Sequence, residues 1–295
     1  MVNPTHAYPP TTEPGPFNIN RYARIGLHEL SDGTFVNASP GTPLPVSEEI
    51  SNTAIANGSV SGTKYIYKFG FNSDINGNEE TICENGGIYV YPTTAARMYV
   101  NSTSVNDTAG GTGVRSIRIF GLDANYNEVS ETFTMAGQAQ TLTANTYIRV
   151  YRAYALTSGS LGTSAGIIYI ANGAGLNASF IPTGAILANL GVDNQTQLAL
   201  WTVPANYTFY LSQIDFTAAV SLANTYMTTK LKVREFGGVF RTLFINVLQS
   251  GTYVTDLKVP LVLPEKTDIE CRAFSSGNNN PVSASFAGIY ILNQP

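Results

Sequence analysis

In 295 residues the chain carries 16 Lys and Arg against 20 Asp and Glu, a net charge of −4 and a charged fraction of 12%, where roughly 25% is usual for soluble proteins. An acidic, charge-poor chain with no basic cluster lacks the pull toward phosphate backbones and anionic lipid, so neither nucleic acid nor membrane is an expected partner. With 17 Tyr and 14 Phe, the surface has to be covered by Thr, Ser, Asn and Gly, which suits a protein packed against neighbours or placed outside a cell.

Residues 1–60 hold Pro4, Pro9, Pro10, Pro14, Pro16, Pro40, Pro43 and Pro45. Proline fixes φ, removes an amide donor and keeps its predecessor out of the helical region. An extended N-terminal arm is therefore expected, with Tyr8, Phe17, Tyr22, Ile25, Leu27 and Phe35 as apolar anchors for another surface or for the chain's own downstream domains. No signal peptide is expected, because Met1-Val2-Asn3-Pro4-Thr5 is not a basic segment leading into an apolar run. The longest apolar runs fall short of a membrane helix.

From Lys64 to Ile170 the pattern predicts about eight strands. Tyr65, Tyr67 and Phe69 alternate with Lys64, Ile66 and Lys68; Ile88–Tyr91 precedes a break at Pro92; Met98–Val100 is followed by the turn Gly110–Gly113. Arg115–Phe120, Phe133, Tyr147–Tyr154 and Ile167–Ile170 continue the series. The Gly/Ala/Ser-rich stretch 171–184 reads as a separator before a second β region. There, Gln197–Thr202 and Thr208–Phe216 flank a turn, and a change of phase near Ser212-Gln213 predicts a β-bulge. Gly237-Gly238 predicts a hairpin. Ile269, Cys271 and Ala273 are set on one face of a strand, with Asp268, Glu270 and Arg272 on the other. The expected fold is all-β: two consecutive β-sandwich (jelly-roll-like) domains, 61–175 and 176–295, behind the arm 1–60.

Catalytic signatures are missing where they are sought. His6 and His28 both lie in the arm, and Cys83 and Cys271 have no metal or redox spacing, reading as buried small side chains or as an inter-domain disulfide. Gly110–Gly113 lacks the Lys-Ser/Thr of a phosphate loop. The acidic groups Glu79, Glu80, Glu84 and Asp123, Glu128, Glu131 read as solvated hairpin edges sooner than as a glycosidase pair. Asp74–Glu79 and Asp123–Glu128 place oxygens at alternate positions as calcium loops do, but the same residues also make tight turns. No catalytic, cofactor-binding or metal residue is assigned, no cofactor is expected, and the chain is not expected to be an enzyme.

Gly121–Asn127 with Glu131 and Tyr147–Arg152 resembles a β-domain of tailed-bacteriophage virion proteins. Trp201–Ala205, Pro264–Ile269 and Val282–Phe286 are similar to a second such module, so the resemblance covers about 64–293. It implies a virion structural protein: a capsid decoration (cement) protein on the capsid exterior, binding the major capsid protein through the arm and forming a homo-oligomer, with a trimer expected. The alternative it leaves open is a receptor- or carbohydrate-binding spike or fibre component, whose exposed Tyr rings would stack on sugars.

Overall fold

The computed structural model describes residues 27–29, 35–37 and 52–293 except 221 and 223. Most of the proline-rich arm, including His6, lies outside these residues. Backbone contacts divide the chain into Met1–Val60 and Ser61–Pro295. In the first unit, β1 (Leu27–Glu29) pairs antiparallel with β2 (Phe35–Asn37), His28 opposite Val36. A five-residue helix, α1 (Asn52–Ala56), follows.

The second unit is built from antiparallel strands, so the fold is all-β. Strands β3 (Thr63–Ile75), β13 (Tyr207–Ala218), β16 (Gly251–Leu263) and β18 (Asn280–Leu292) form one sheet in the order β16-β13-β18-β3. A second sheet has the order β12-β17-β14-β15, from Leu200–Thr202, Asp268–Ser275, Met227–Arg234 and Arg241–Leu248, with β4 (Glu80–Thr81) on β17. These two sheets share a core: Trp201 of β12 stands edge-on to Phe209 and Tyr290, ring centroids 5.1 and 5.2 Å apart. Gly70 of β3 allows their close approach, since a Cβ there would lie 2.2 Å from the Ala199 nitrogen.

Two smaller sheets complete the unit. One is β11-β10-β5-β8, from Ala185–Leu190, Ile168–Asn172, Ala96–Ser102 and Thr141–Tyr147; the other is β7-β6-β9, from Glu128–Thr134, Val114–Leu122 and Arg149–Ser158. Asp107, fully buried in the loop between β5 and β6, ties them together. Its carboxylate accepts from Val114 N (2.8 Å), Ala165 N (2.9 Å), Gly166 N (3.0 Å) and Ser102 Oγ (2.6 Å).

The predicted bulge is present: the register of β13 against both neighbours shifts between Leu211 and Gln213. So is the Gly237-Gly238 hairpin, joining β14 to β15. Two expectations are corrected. Ile88–Tyr91 joins no ladder; Thr81 Oγ1 accepts the Tyr89 amide instead (2.8 Å), and Pro92 has no amide to offer. The expected boundary between 61–175 and 176–295 falls inside the loop joining β10 to β11, which are neighbours in one sheet with Ile168 opposite Leu190. Near the other end of the unit, β3 pairs with β18 and β4 with β17, so the two halves exchange strands and 61–295 is one compact unit. Gly, Ala and Ser in 171–184 mark a hairpin loop, whose backbone needs match those of a linker.

Candidate functional site

The ionisable residues sort into those used up within the fold and those left open. On β17 the alternation places Ile269, Cys271 and Ala273 in the core, yet Asp268 and Glu270 on the opposite face are also buried. Asp268 accepts from Arg149 Nε (2.8 Å) and Nη2 (3.1 Å), Arg234 Nε (3.0 Å) and Nη2 (2.6 Å), and Thr202 Oγ1 (2.6 Å). It thereby joins β9, β12, β14 and β17. Glu270 accepts from Thr81 Oγ1, Tyr91 OH (3.2 Å) and Arg272 Nε (2.8 Å) and Nη2 (3.0 Å). Aromatic rings separate the guanidiniums: Tyr91 lies between Arg149 (4.9 Å) and Arg234 (4.6 Å), and Phe240 between Arg234 (4.6 Å) and Arg272 (4.9 Å). Arginine's planar, weakly hydrated cation suits such stacking where lysine would not. Alternation alone would have put these charges in water; instead Arg149 of β9 bonds to Asp268, and Thr81 and Tyr91 of the 79–92 segment bond to Glu270.

The acidic groups singled out by sequence are similarly engaged. Glu79 accepts from Lys230 (2.6 Å), Lys232 (3.0 Å) and Arg272 (3.2 Å). Burial works to raise its carboxyl, but hydrogen bonds from Lys230 and Lys232 prevail and hold it at about 2. Glu128 accepts from Lys64 and from Tyr290 OH (2.9 Å). Glu131 accepts from Ala144 N (2.7 Å) and Tyr147 OH (2.8 Å). In the turn after β6, Asp123 Oδ1 accepts from the amides of Asn125 (2.8 Å) and Asn127 (2.9 Å), the conformational use of Asp in a tight turn. In both candidate calcium loops the carboxylates take donors from the chain itself, Asp74 Oδ1 from Asn76 Nδ2 (3.2 Å) in the first, and among the described residues no three His, Cys, Asp or Glu are grouped as metal ligands. Cys83 and Cys271 are free thiols in buried positions. Burial pushes Cys83 up to about 12, against ready thiolate formation.

Glu84 is different. Burial, then the nearby Asp193 carboxylate, raises it to about 7, and its Oε2 has no donor among the described residues. Lys68 is the basic counterpart: it points inward from β3, its ammonium donates to the Tyr151 carbonyl, and burial followed by repulsion from Arg152 lowers it to about 7.

Two surfaces remain open. One is the edge pair β15 and β16. Among the described residues neither has a second neighbour in its sheet, and from Thr242 to Thr255 there is no Asp, Glu, Lys, Arg or His. Ile245 (57% exposed), Val247 (62%), Val254 (58%), Val259 (80%) and Val262 (61%) face solvent. Long apolar edges of this kind are templates for association. Part of β16 is guarded, since residues 257–260 lie opposite Ser212 alone and carry Lys258 and Pro260. The other surface is a cleft of about 560 Å³ lined by Phe120, Glu128, Arg152, Tyr154, Asp193 and Gln195, among others. Neither was found by sequence reading: the cleft gathers residues from strands far apart in the chain, and which strands end up at a sheet edge is set by pairing.

No family model and no curated protein sequence matches the chain. Among solved structures, it is similar to a structure of the Gx strain of infectious bursal disease virus, at 9% identity over 79% of this chain and 74% of that one, TM-score 0.22. It is likewise similar to the infectious bursal disease virus VP2 subviral particle, at 8% identity over 79% and 72%, TM-score 0.21. At such TM-scores nothing about role passes from those particles to this chain.

Proposed function

We propose that this chain is a non-enzymatic structural protein of a tailed-phage virion, a decoration protein on the capsid exterior that self-associates, as a trimer, and holds the major capsid protein through its N-terminal arm. The observation that carries the reading is the apolar pair of open edges, β15 and β16, with no charged residue from Thr242 to Thr255, on a chain whose buried Asp107, Asp268 and Glu270 are committed to its own fold. A freely diffusing monomer would leave that surface in water at a cost of about 25 cal/mol per Å² of apolar area. A closed homo-oligomer covers it. The charge-poor composition and the resemblance of 64–293 to virion β-domains point the same way.

Sedimentation velocity of the full chain, with Ile245→Lys/Val247→Glu alongside, tests the association. The native chain should sediment as one oligomer and the double variant as a folded monomer; a native monomer refutes it. Removing residues 1–55 should abolish binding to particles and leave the β unit folded. Decoration by the truncated chain would refute the arm's role.

A further inference from the structure

The cleft beside β9 has the makings of a ligand site independent of assembly. Its floor is an aromatic pair, Phe120 and Tyr154, with ring centroids 5.6 Å apart and planes tilted by 32°. Both are half-buried on the outward face of the β7-β6-β9 sheet. The rim is 193–195, held against β9 by Ala155 N to Asn194 O (2.7 Å) and Thr196 N to Ala153 O (2.9 Å), which sets Gln195 beside Tyr154.

Arg152 is the unusual member. Arg149, Arg234 and Arg272 are bound into ion pairs. The exposed Arg152 guanidinium lies over the Tyr154 ring (5.6 Å) and, among the described residues, forms no hydrogen bond or ion pair. Asp193 gives one oxygen to Gln197 (2.6 Å) and keeps the other, and the Gln195 carboxamide is unengaged among the described residues. Stacking rings beside a free planar donor, a free carboxylate oxygen and a free amide match the faces of a pyranose: C–H groups for the rings, hydroxyls for the rim. The charges offset one another, Arg152 against Asp193 and Lys64 against Glu128. That balance favours an uncharged ligand over an anion.

We propose that this cleft binds a neutral oligosaccharide, one sugar ring lying on Phe120 and Tyr154, with its hydroxyls bonded to Arg152, Asp193 and Gln195. The site would give the protein a glycan-adhesion function beside its structural one.

The test is calorimetry and saturation-transfer NMR on the full chain. The neutral probes are cellotriose, maltotriose, chitotriose and N-acetyllactosamine; sialyllactose and a heparin tetrasaccharide are the acidic arm. At least one neutral probe should bind saturably. Tyr154→Ala and Arg152→Gln should each weaken it by about tenfold, the size expected for one lost stacking or bidentate contact. Tyr67→Ala, on a different sheet, should leave it unchanged. Arg152 is exposed, so Arg152→Gln reads the site even if Tyr154→Ala fails to fold. Absence of binding by every neutral probe, binding confined to the acidic probes, or full affinity in Arg152→Gln would each overturn the proposal. None of these outcomes bears on the sedimentation result.

Discussion

Replacing Lys68 with Met should stabilise the protein at neutral pH and lose that advantage as the pH rises. A free lysine titrates at 10.5, whereas Lys68 in the fold is held at about 7, by burial first and by Arg152 second. Between those values the unfolded chain binds a proton that the folded chain does not, so native stability climbs with pH across the window. Below about 7 the destabilisation is complete; above 10.5 it is gone. At pH 7 it amounts to roughly 4 kcal/mol, and at pH 9 to about 2 kcal/mol. Met keeps the apolar stem but leaves the Tyr151 carbonyl without its donor, at a cost of about 1–3 kcal/mol. The variant should therefore gain about 1–3 kcal/mol at pH 7. The carbonyl cost is the same at every pH, so the difference between variant and native chain should shrink by about 2 kcal/mol from pH 7 to pH 9. Urea denaturation of both proteins at several pH values in this range measures it. A difference that does not change with pH would refute the account, since it would mean that Lys68 keeps its proton in the fold.

Two further substitutions probe the buried carboxylates. Asp107→Asn turns one acceptor oxygen into a donor facing other donors and should cost about 3 kcal/mol, read as a lower urea midpoint with unchanged slope. Asp268→Asn leaves Arg149 and Arg234 without their shared counter-charge and should cost about 3–5 kcal/mol. Adding Arg149→Leu to it should recover part of that loss, because the buried charge is then removed as well. Equal and additive losses from the two changes would show that they do not act as a pair.

Local elements were legible because they depend on neighbours in sequence. The bulge at Ser212 is visible as a change of phase between Leu211 and Ile214, and the β14–β15 turn as a Gly pair between alternating runs. The strand at Tyr65–Phe69 was also legible, but which face turned inward was not. Its aromatics Tyr65 and Tyr67 lie exposed while Lys68 is buried, the reverse of what hydropathy suggests. Extended backbone at Ile88–Tyr91 looked like a strand because its residues have the right shapes; whether it pairs depends on a partner that sequence does not name.

By itself, the sequence determined an all-β chain, poor in charge, with strands and turns placed largely where alternation and Gly, Pro, Asn and Asp put them. Those signals are local: period two follows from the pleat, and turn residues from allowed φ and ψ. Tertiary structure alone decided which strands became neighbours, and so placed β3 beside β18 and joined two apparent domains into one unit. It also decided that Asp268 and Glu270 are buried, that the β15 and β16 edges stay open, and that Arg152 faces an aromatic cleft unpaired. Each of these depends on contacts between residues far apart in the chain, where burial and charge pairing are set by what folds over a strand rather than by the strand's own pattern.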